Sequence, residues 1–246
     1  MMMVARMKLA FNITDWQACA PGLSGAGQWC TWAAATATID ATAAIAKCTH
    51  LPMMTARRLA SGSRLAVEAA LAILARSQVD ALVFASRHGE LERNYRILTA
   101  LAEQQALSPT DFAMSVHNAA VGNTTIAAKS PFVSSSVSAG RDTFCQAMVE
   151  VAAFHHAGYQ RVLLVDFDGA IPDFYQPHFS PGDADYPFAV GLLLEAGNQI
   201  QAQSVPVAAD SDSTLPQSLA FLHAWLSAKE SFAITGERLS WQWTRN

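Results

Sequence analysis

The chain has 246 residues, enough for one large or two small domains with a substantial core. Apolar residues make up 51% of it and charged residues 15%, a surface poor in charge that suits a protein hiding part of itself against a partner. The net charge of −4, with no basic stripe, argues against a general nucleic-acid binder, and no apolar run reaches the ~18 residues of a membrane span.

The opening MMMVARMKLAFNITDW has neither the apolar core nor the small-residue cleavage site of a signal peptide. Four cysteines (Cys19, Cys30, Cys48 and Cys145) show no CxxC pairing and no His–Cys metal spacing. They read as reduced, mostly buried thiols of a cytoplasmic protein.

Lys8–Ile13 reads as an opening strand. The Gly/Ser-rich stretch Pro21–Gly27 is a loop, after which Trp29 and Trp32 anchor the chain. From Ser63 to Arg76 apolar residues recur at helical spacing behind a serine cap, which predicts a helix. Asp80–Ser86 is a short apolar run suited to a buried strand. Residues 90–105 (ELERNYRILTALAEQQ) form an amphipathic helix closed by Ser108-Pro109. A helix, a short strand at Pro131–Val137, a small-residue turn and a further helix at Thr143–His156, ending near Gly158, follow. Strands at Arg161–Phe167 and Tyr186–Ala196 flank a loop rich in Pro, Asp and aromatics; a helix at Leu215–Lys229 and a strand at Arg238–Thr244 close the chain. Alternating strands and helices predict an α/β sandwich, and without a repeat or long linker residues 1–246 read as one domain.

Three motifs invite a chemical reading. VLLVDFDGAIPD (162–173) is an apolar strand ending in DxDG, the arrangement of magnesium-dependent phosphatases in which Asp166 would attack phosphorus and Asp168 act as acid/base. That chemistry also needs a downstream lysine followed by an acidic pair. Only Lys229 is downstream, only Glu230 and Glu237 follow it, and Asp183, Asp185, Asp210 and Asp212 come too early. Asp166 and Asp168 read better as polar residues at a strand exit. His155-His156 lacks a carboxylate at i+4 and reads as a solvated helix end, while His88 stands after a strand, where sites of α/β folds are often lined. The serines of FVSSSVSAG form no GxSxG, so Ser134, Ser135 and Ser136 read as strand residues small enough to admit another backbone.

Several segments in order resemble β-ketoacyl synthases of the thiolase fold: ASRHGEL (85–91), SVHNAAVG (115–122), VSAGRDTFCQA (137–147) and YPFAVGLLLEAG (186–197). Across residues 80–197 the resemblance implies a thiolase-like layered α-β-α sandwich, the N-terminal half of a ketosynthase. The family's nucleophilic cysteine falls on Val137, with Gly140, Phe144 and Ala147 at the family's spacing behind it; a slip of one residue gives Ser136 or Ser138. Valine cannot take an acyl chain from a carrier thioester, and Cys145 falls inside the following helix as a core thiol. The family's two catalytic histidines belong to a C-terminal half that this sequence does not contain.

The SVHNA and SRHGEL forms look most like the shortened chain-length factor of aryl-polyene ketosynthase heterodimers. That resemblance implies a non-catalytic subunit without a cofactor. It would pair with an active β-ketoacyl synthase, reach acyl carrier protein through that partner and help shape the acyl tunnel. In the family the strand before the nucleophile turn pairs across the two-fold axis, which places Phe132 and Ser134–Ser136 at the interface. His88, Leu91 and Tyr95 would line one helical face toward the tunnel, with plain helix packing as the alternative for Leu91 and Tyr95, and with His117 and Asn118 as further candidates. For Asn118 the alternative is satisfying buried backbone groups.

Overall fold

The structure, a computed structural model, describes residues 6–35, 38–179, 183–207 and 215–246. Asp210 and Asp212 therefore lie outside the described residues. Eight strands form one sheet: β1 (Lys8–Cys19), β2 (Ala81–Ala85), β3 (Val133–Val137), β4 (Arg161–Asp168), β5 (Phe188–Ala196), β6 (Ile200–Pro206), β7 (Ser231–Thr235) and β8 (Leu239–Arg245). Their spatial order is β3-β2-β4-β5-β1-β6-β8-β7. β2 pairs in parallel with β3 and β4, and every other pairing is antiparallel.

The helices are α1 (Ala26–Ala34), α2 (Met53–Ala56), α3 (Ser61–Leu74), α4 (Leu91–Ala102), α5 (Pro109–Ala113), α6 (Ala119–Ala128), α7 (Thr143–His156) and α8 (Gln217–Leu226). Side chains alternate across the central strands, as the two-residue period of a strand requires. Ala81, Val83, Ala85, Val162 and Leu164 join the core shared with α1, α7 and α8. Leu82, Phe84, Leu163, Val165 and Phe167 join the opposite core with α3 and α6. Helices on both faces of a sheet buried on both sides give the expected thiolase-like α-β-α sandwich.

α3 lies unusually close to the sheet. A Cβ on its Gly62 would fall 2.5 Å from the Gly169 nitrogen and 2.6 Å from the Asp168 carbonyl carbon, so only glycine permits the approach.

Several boundaries differ from expectation for identifiable reasons. β1 continues to Cys19 through a register shift at Ile13/Asp15 that the polar residues of that stretch disguise in sequence. Ser63 does not cap α3: it is buried inside the first turn, where its hydroxyl donates to Glu90, and Ala60 occupies the cap. Ser108-Pro109 does not close α4. It opens α5, with the Ser108 hydroxyl accepting from the Asp111 N–H at 3.2 Å and Pro109 in the first turn. Cys19 and Cys145 are buried, Cys48 is intermediate and Cys30 is exposed, so only half of the thiols are in the core; all four are free. No helix among the described residues is long and apolar enough to cross a membrane.

Candidate functional site

The turn after β3 is built from residues 138–142. Ser86 donates its N–H to the Val137 carbonyl at 3.1 Å, holding the end of β3 against the residue that follows β2. The chain then turns through Gly140 at φ +61°, a left-handed conformation that favours glycine. The Thr143 hydroxyl donates to the Gly140 carbonyl at 2.7 Å and accepts the Ala139 N–H at 3.0 Å, tying the turn to the start of α7. Asp142 is locked from the far side, its carboxylate accepting the N–H groups of Glu237 (2.7 Å) and Arg238 (3.1 Å). A Cβ at Gly236 would meet that carboxylate at 1.7 Å.

Val137 is half-buried and packs against the α7-side core. The turn therefore presents Ser136, Val137 and Ser138 and no thiol. Cys145 lies within α7 as expected, and burial pushes its thiol well above the ordinary range. A cysteine so placed is a packing residue rather than a nucleophile.

Beside this turn opens a cavity of about 120 Å³ whose lining includes Arg87, His88, Arg141, Asp166, Asp168 and Asp183. Alternation along β4 sends Asp166 and Asp168 to the same side. Asp166 is buried and Asp168, the last residue of β4, is half-buried, so both stand at the strand exit as expected and face the cavity there. Asp168 accepts the Ser86 hydroxyl at 2.6 Å and the His88 N–H at 2.9 Å. Burial raises its pKa above the usual carboxylate value, with His88, Ser86 and backbone N–H groups pulling it back. His88 is shifted the other way: burial lowers it, against the opposing pull of Asp168. Burial pushes Asp166 up to about 8, with Ser218 opposing and Asp168 adding to the rise. The Ser218 hydroxyl lies beside Asp166 without a hydrogen bond of ordinary geometry. At the mouth Asp183 pairs with Arg87 at 2.6 Å and lies 3.8 Å from Arg141. The described residues that line the cavity thus offer acid–base groups but neither a thiol nor the lysine that the phosphatase chemistry needs. Among the described residues no cluster of His, Cys, Asp or Glu is arranged to hold a metal ion.

The other sequence candidates divide into two places. His88 is not on the α4 face with Leu91 and Tyr95. It precedes the helix, on a turn where Gly89 has φ +56°, and its ring packs edge-on against Phe179 at 4.9 Å. Tyr95 does lie on α4, stacked on Phe174 (5.8 Å) and edge-on to Tyr175 (5.9 Å). His117 is held by the Ser86 carbonyl, 3.0 Å from its Nε2, and supports the same turn. Asn118 is exposed at the start of α6 and its side chain makes no capping bond there, which corrects the alternative of buried backbone satisfaction. His155 is not a solvated end either: its Nε2 lies 3.1 Å from the Leu194 carbonyl and its ring packs on Phe11.

β3 is an edge strand, paired only with β2. Phe132 packs partly into the α3-side core, Ser134 is exposed, and Ser135 and Ser136 are intermediate. The Ser136 hydroxyl is buried and has no hydrogen-bond partner. Sequence reading missed the orientation of α4. Its one buried residue is Arg93, whereas Leu98 and Leu101 are each 54% exposed. Phe112, Val116, Ile126 and Val133 are exposed as well.

Residues 29–244 match the family model of the β-ketoacyl synthase N-terminal domain. A chain from the complex of the ketosynthase ApeO with its chain length factor ApeC, from Xenorhabdus doucetiae, is 54% identical. That match covers 96% of this chain and 100% of that one, with a TM-score of 0.93. The fold is shared at much lower identity by two further structures. One is the ishigamide ketosynthase/chain length factor: 16% identity, TM-score 0.62, 81% of this chain and 67% of that one. The other is the type II polyketide synthase assembly AntDE:AntF, an acyl-carrier protein in complex with its ketosynthase: 10% identity, TM-score 0.67, 98% and 100% coverage. No curated protein matches the sequence. With most of its length under the family model and a 54% identical relative covered in full, this chain belongs to the β-ketoacyl synthase N-terminal domain family.

Proposed function

We propose that this chain is a non-catalytic, chain-length-factor-like subunit. It pairs with an active β-ketoacyl synthase and helps shape the acyl tunnel in polyene or polyketide biosynthesis. The partner performs decarboxylative condensation of malonyl units delivered on acyl carrier protein, and this chain supplies no nucleophile because Val137 stands at the seat.

The observations that carry this reading are exposed apolar side chains turned away from the chain's own core and an open sheet edge at β3. Leu98 and Leu101 on α4 and Val133 on β3 are exposed. Full burial of a leucine stabilises by roughly 1.5–3 kcal/mol, so a surface with several of them gains most when covered. β3 adds backbone groups that await a partner. The 54% identical relative comes from a complex of a ketosynthase with its chain length factor, which points to a ketosynthase as the covering chain.

Co-expression with its ketosynthase is expected to yield a 1:1 complex, while the chain made alone aggregates or is poorly soluble. Loading from acyl carrier protein should label the partner's cysteine and leave this chain unlabelled. A stable, monodisperse monomer that ignores the ketosynthase would sink the pairing, and stoichiometric acylation of this chain would end the non-catalytic reading.

A further inference from the structure

α4 is fastened to the rest of the molecule by a charge. Helices ordinarily dock through an apolar stripe, yet the only buried residue of α4 is Arg93, at 2% exposure. Its guanidinium reaches two other segments and the N-cap of its own helix. One terminal nitrogen donates to the Asp111 carboxylate in α5. The other donates to the Arg58 carbonyl just past α2 at 2.6 Å, and Nε faces Glu90 at 3.4 Å. Glu90, itself 4% exposed, takes the Ser63 hydroxyl from α3. One turn of helix beside it, Glu92 accepts the Ser61 N–H and hydroxyl at 2.7 and 2.8 Å. The fork of Arg93 therefore joins α4 to α5 and to the end of α2, and Glu90 and Glu92 on either side of it tie the same helix start to α3.

We infer that Arg93 is a positioning residue. It sets the height and tilt of α4, and so decides what Leu91, Tyr95 and Leu98 present to the partner subunit and the growing chain, while touching neither. This rests on the pairing proposed above. Apolar contacts tolerate sliding, whereas a planar fork held by fixed acceptors on two other segments and on its own helix cap admits one placement. Buried ion pairs contribute little net stability compared with apolar side chains of similar size. A network of this kind under a helix whose apolar side faces outward is better explained by the position it enforces. Lysine keeps the charge but not the fork, so it cannot reproduce the bonds to Asp111, Arg58 and Glu90 together.

The test uses the co-expressed complex with Arg93→Met and Arg93→Lys, reading amide hydrogen exchange and the length distribution of the product. In the methionine variant the α4 amides are expected to exchange about tenfold faster or more while those of β2 and β4 are unchanged. The complex should persist, and products should shift or broaden by at least one extension unit, with lysine intermediate. An α4 that exchanges as in the wild type overturns the anchoring. An α4 that loosens while product lengths stay the same overturns the positioning role. Should the methionine variant fail to fold, Asp111→Asn removes one acceptor alone and carries the same expectation at smaller amplitude, and unchanged products there are equally fatal. If the wild-type chain forms no complex, the pairing proposal and the positioning role fall together, while exchange in the isolated chain still decides the anchoring.

Discussion

At the scale of single residues, this molecule places charge where its sequence reads as surface. Arg93 sits in an amphipathic helix and Asp166 near the end of a strand, positions usually wet, yet both are buried. The consequence for Asp166 is a pH dependence with a definite sign. Its pKa rises from 3.8 in the reference state to about 8 in the fold. Between those values the folded chain holds a proton that the unfolded chain has released, so stability falls as pH rises through that window. One such proton contributes a slope of up to about 1.4 kcal/mol per pH unit. Asp168, also raised, adds to the fall, whereas His88, lowered by burial, acts in the opposite sense below its ordinary value of 6.5. Asp166→Asn is therefore expected to flatten the loss of stability between pH 5 and pH 8, read as urea midpoints across that range. A variant that keeps the wild-type slope would show that Asp166 is not the group responsible.

At the scale of elements, β3 carries the most consequence for its length. In a parallel ladder, residues bond the neighbouring strand alternately. Val137 accepts from Ser86 on the β2 side, so Val133, Ser135 and Val137 face β2. Ser134 and Ser136 consequently turn their N–H and C=O groups outward. Ser134→Pro deletes an outward donor without cutting the ladder to β2, and Val133 before it is already extended, as a residue ahead of proline must be. The expected result is a chain that folds with a melting temperature close to wild type but binds its ketosynthase at least about tenfold more weakly, the loss of roughly 1.4 kcal/mol. Unimpaired binding would remove β3 from the interface. Element existence was well signalled where the apolar period was strong: β2, β4 and α7 lie where expected. β6 and β7 went unread because glutamines and serines dilute the alternation of IQAQSVP, and SFAIT is short.

At the scale of the whole molecule, the nucleophile seat and its surroundings come from distant parts of the chain. Residues near Val137, Asp166, Gln217 and Gly236 meet around one cavity. Among the described residues the only histidine lining it is His88, which is engaged by Phe179 and lies beside Asp168. On the proposed reading a thiol alone is not expected to rebuild the reaction. In a complex whose partner has had its nucleophilic cysteine changed to alanine, Val137→Cys in this chain is expected to give an alkylatable thiol and no condensation product. Turnover by that complex would show that the seat retains catalytic surroundings after all.

The sequence by itself determined the alternation of strands and helices, the layered α/β class and the family. Apolar periodicity is local, and the SRHGEL, SVHNA and VSAGRD segments carry the resemblance in short windows. It also placed Val137 at a strand-to-helix turn, the end of β3 ahead of α7. Only the tertiary structure decided the order of the strands, the burial of Asp166, and the departure of His88 from the α4 face. An amphipathic pattern states that a helix has two sides but not which side the core occupies. For α4 that choice is made by Arg58, Ser63 and Asp111, residues of other segments whose approach no local window contains.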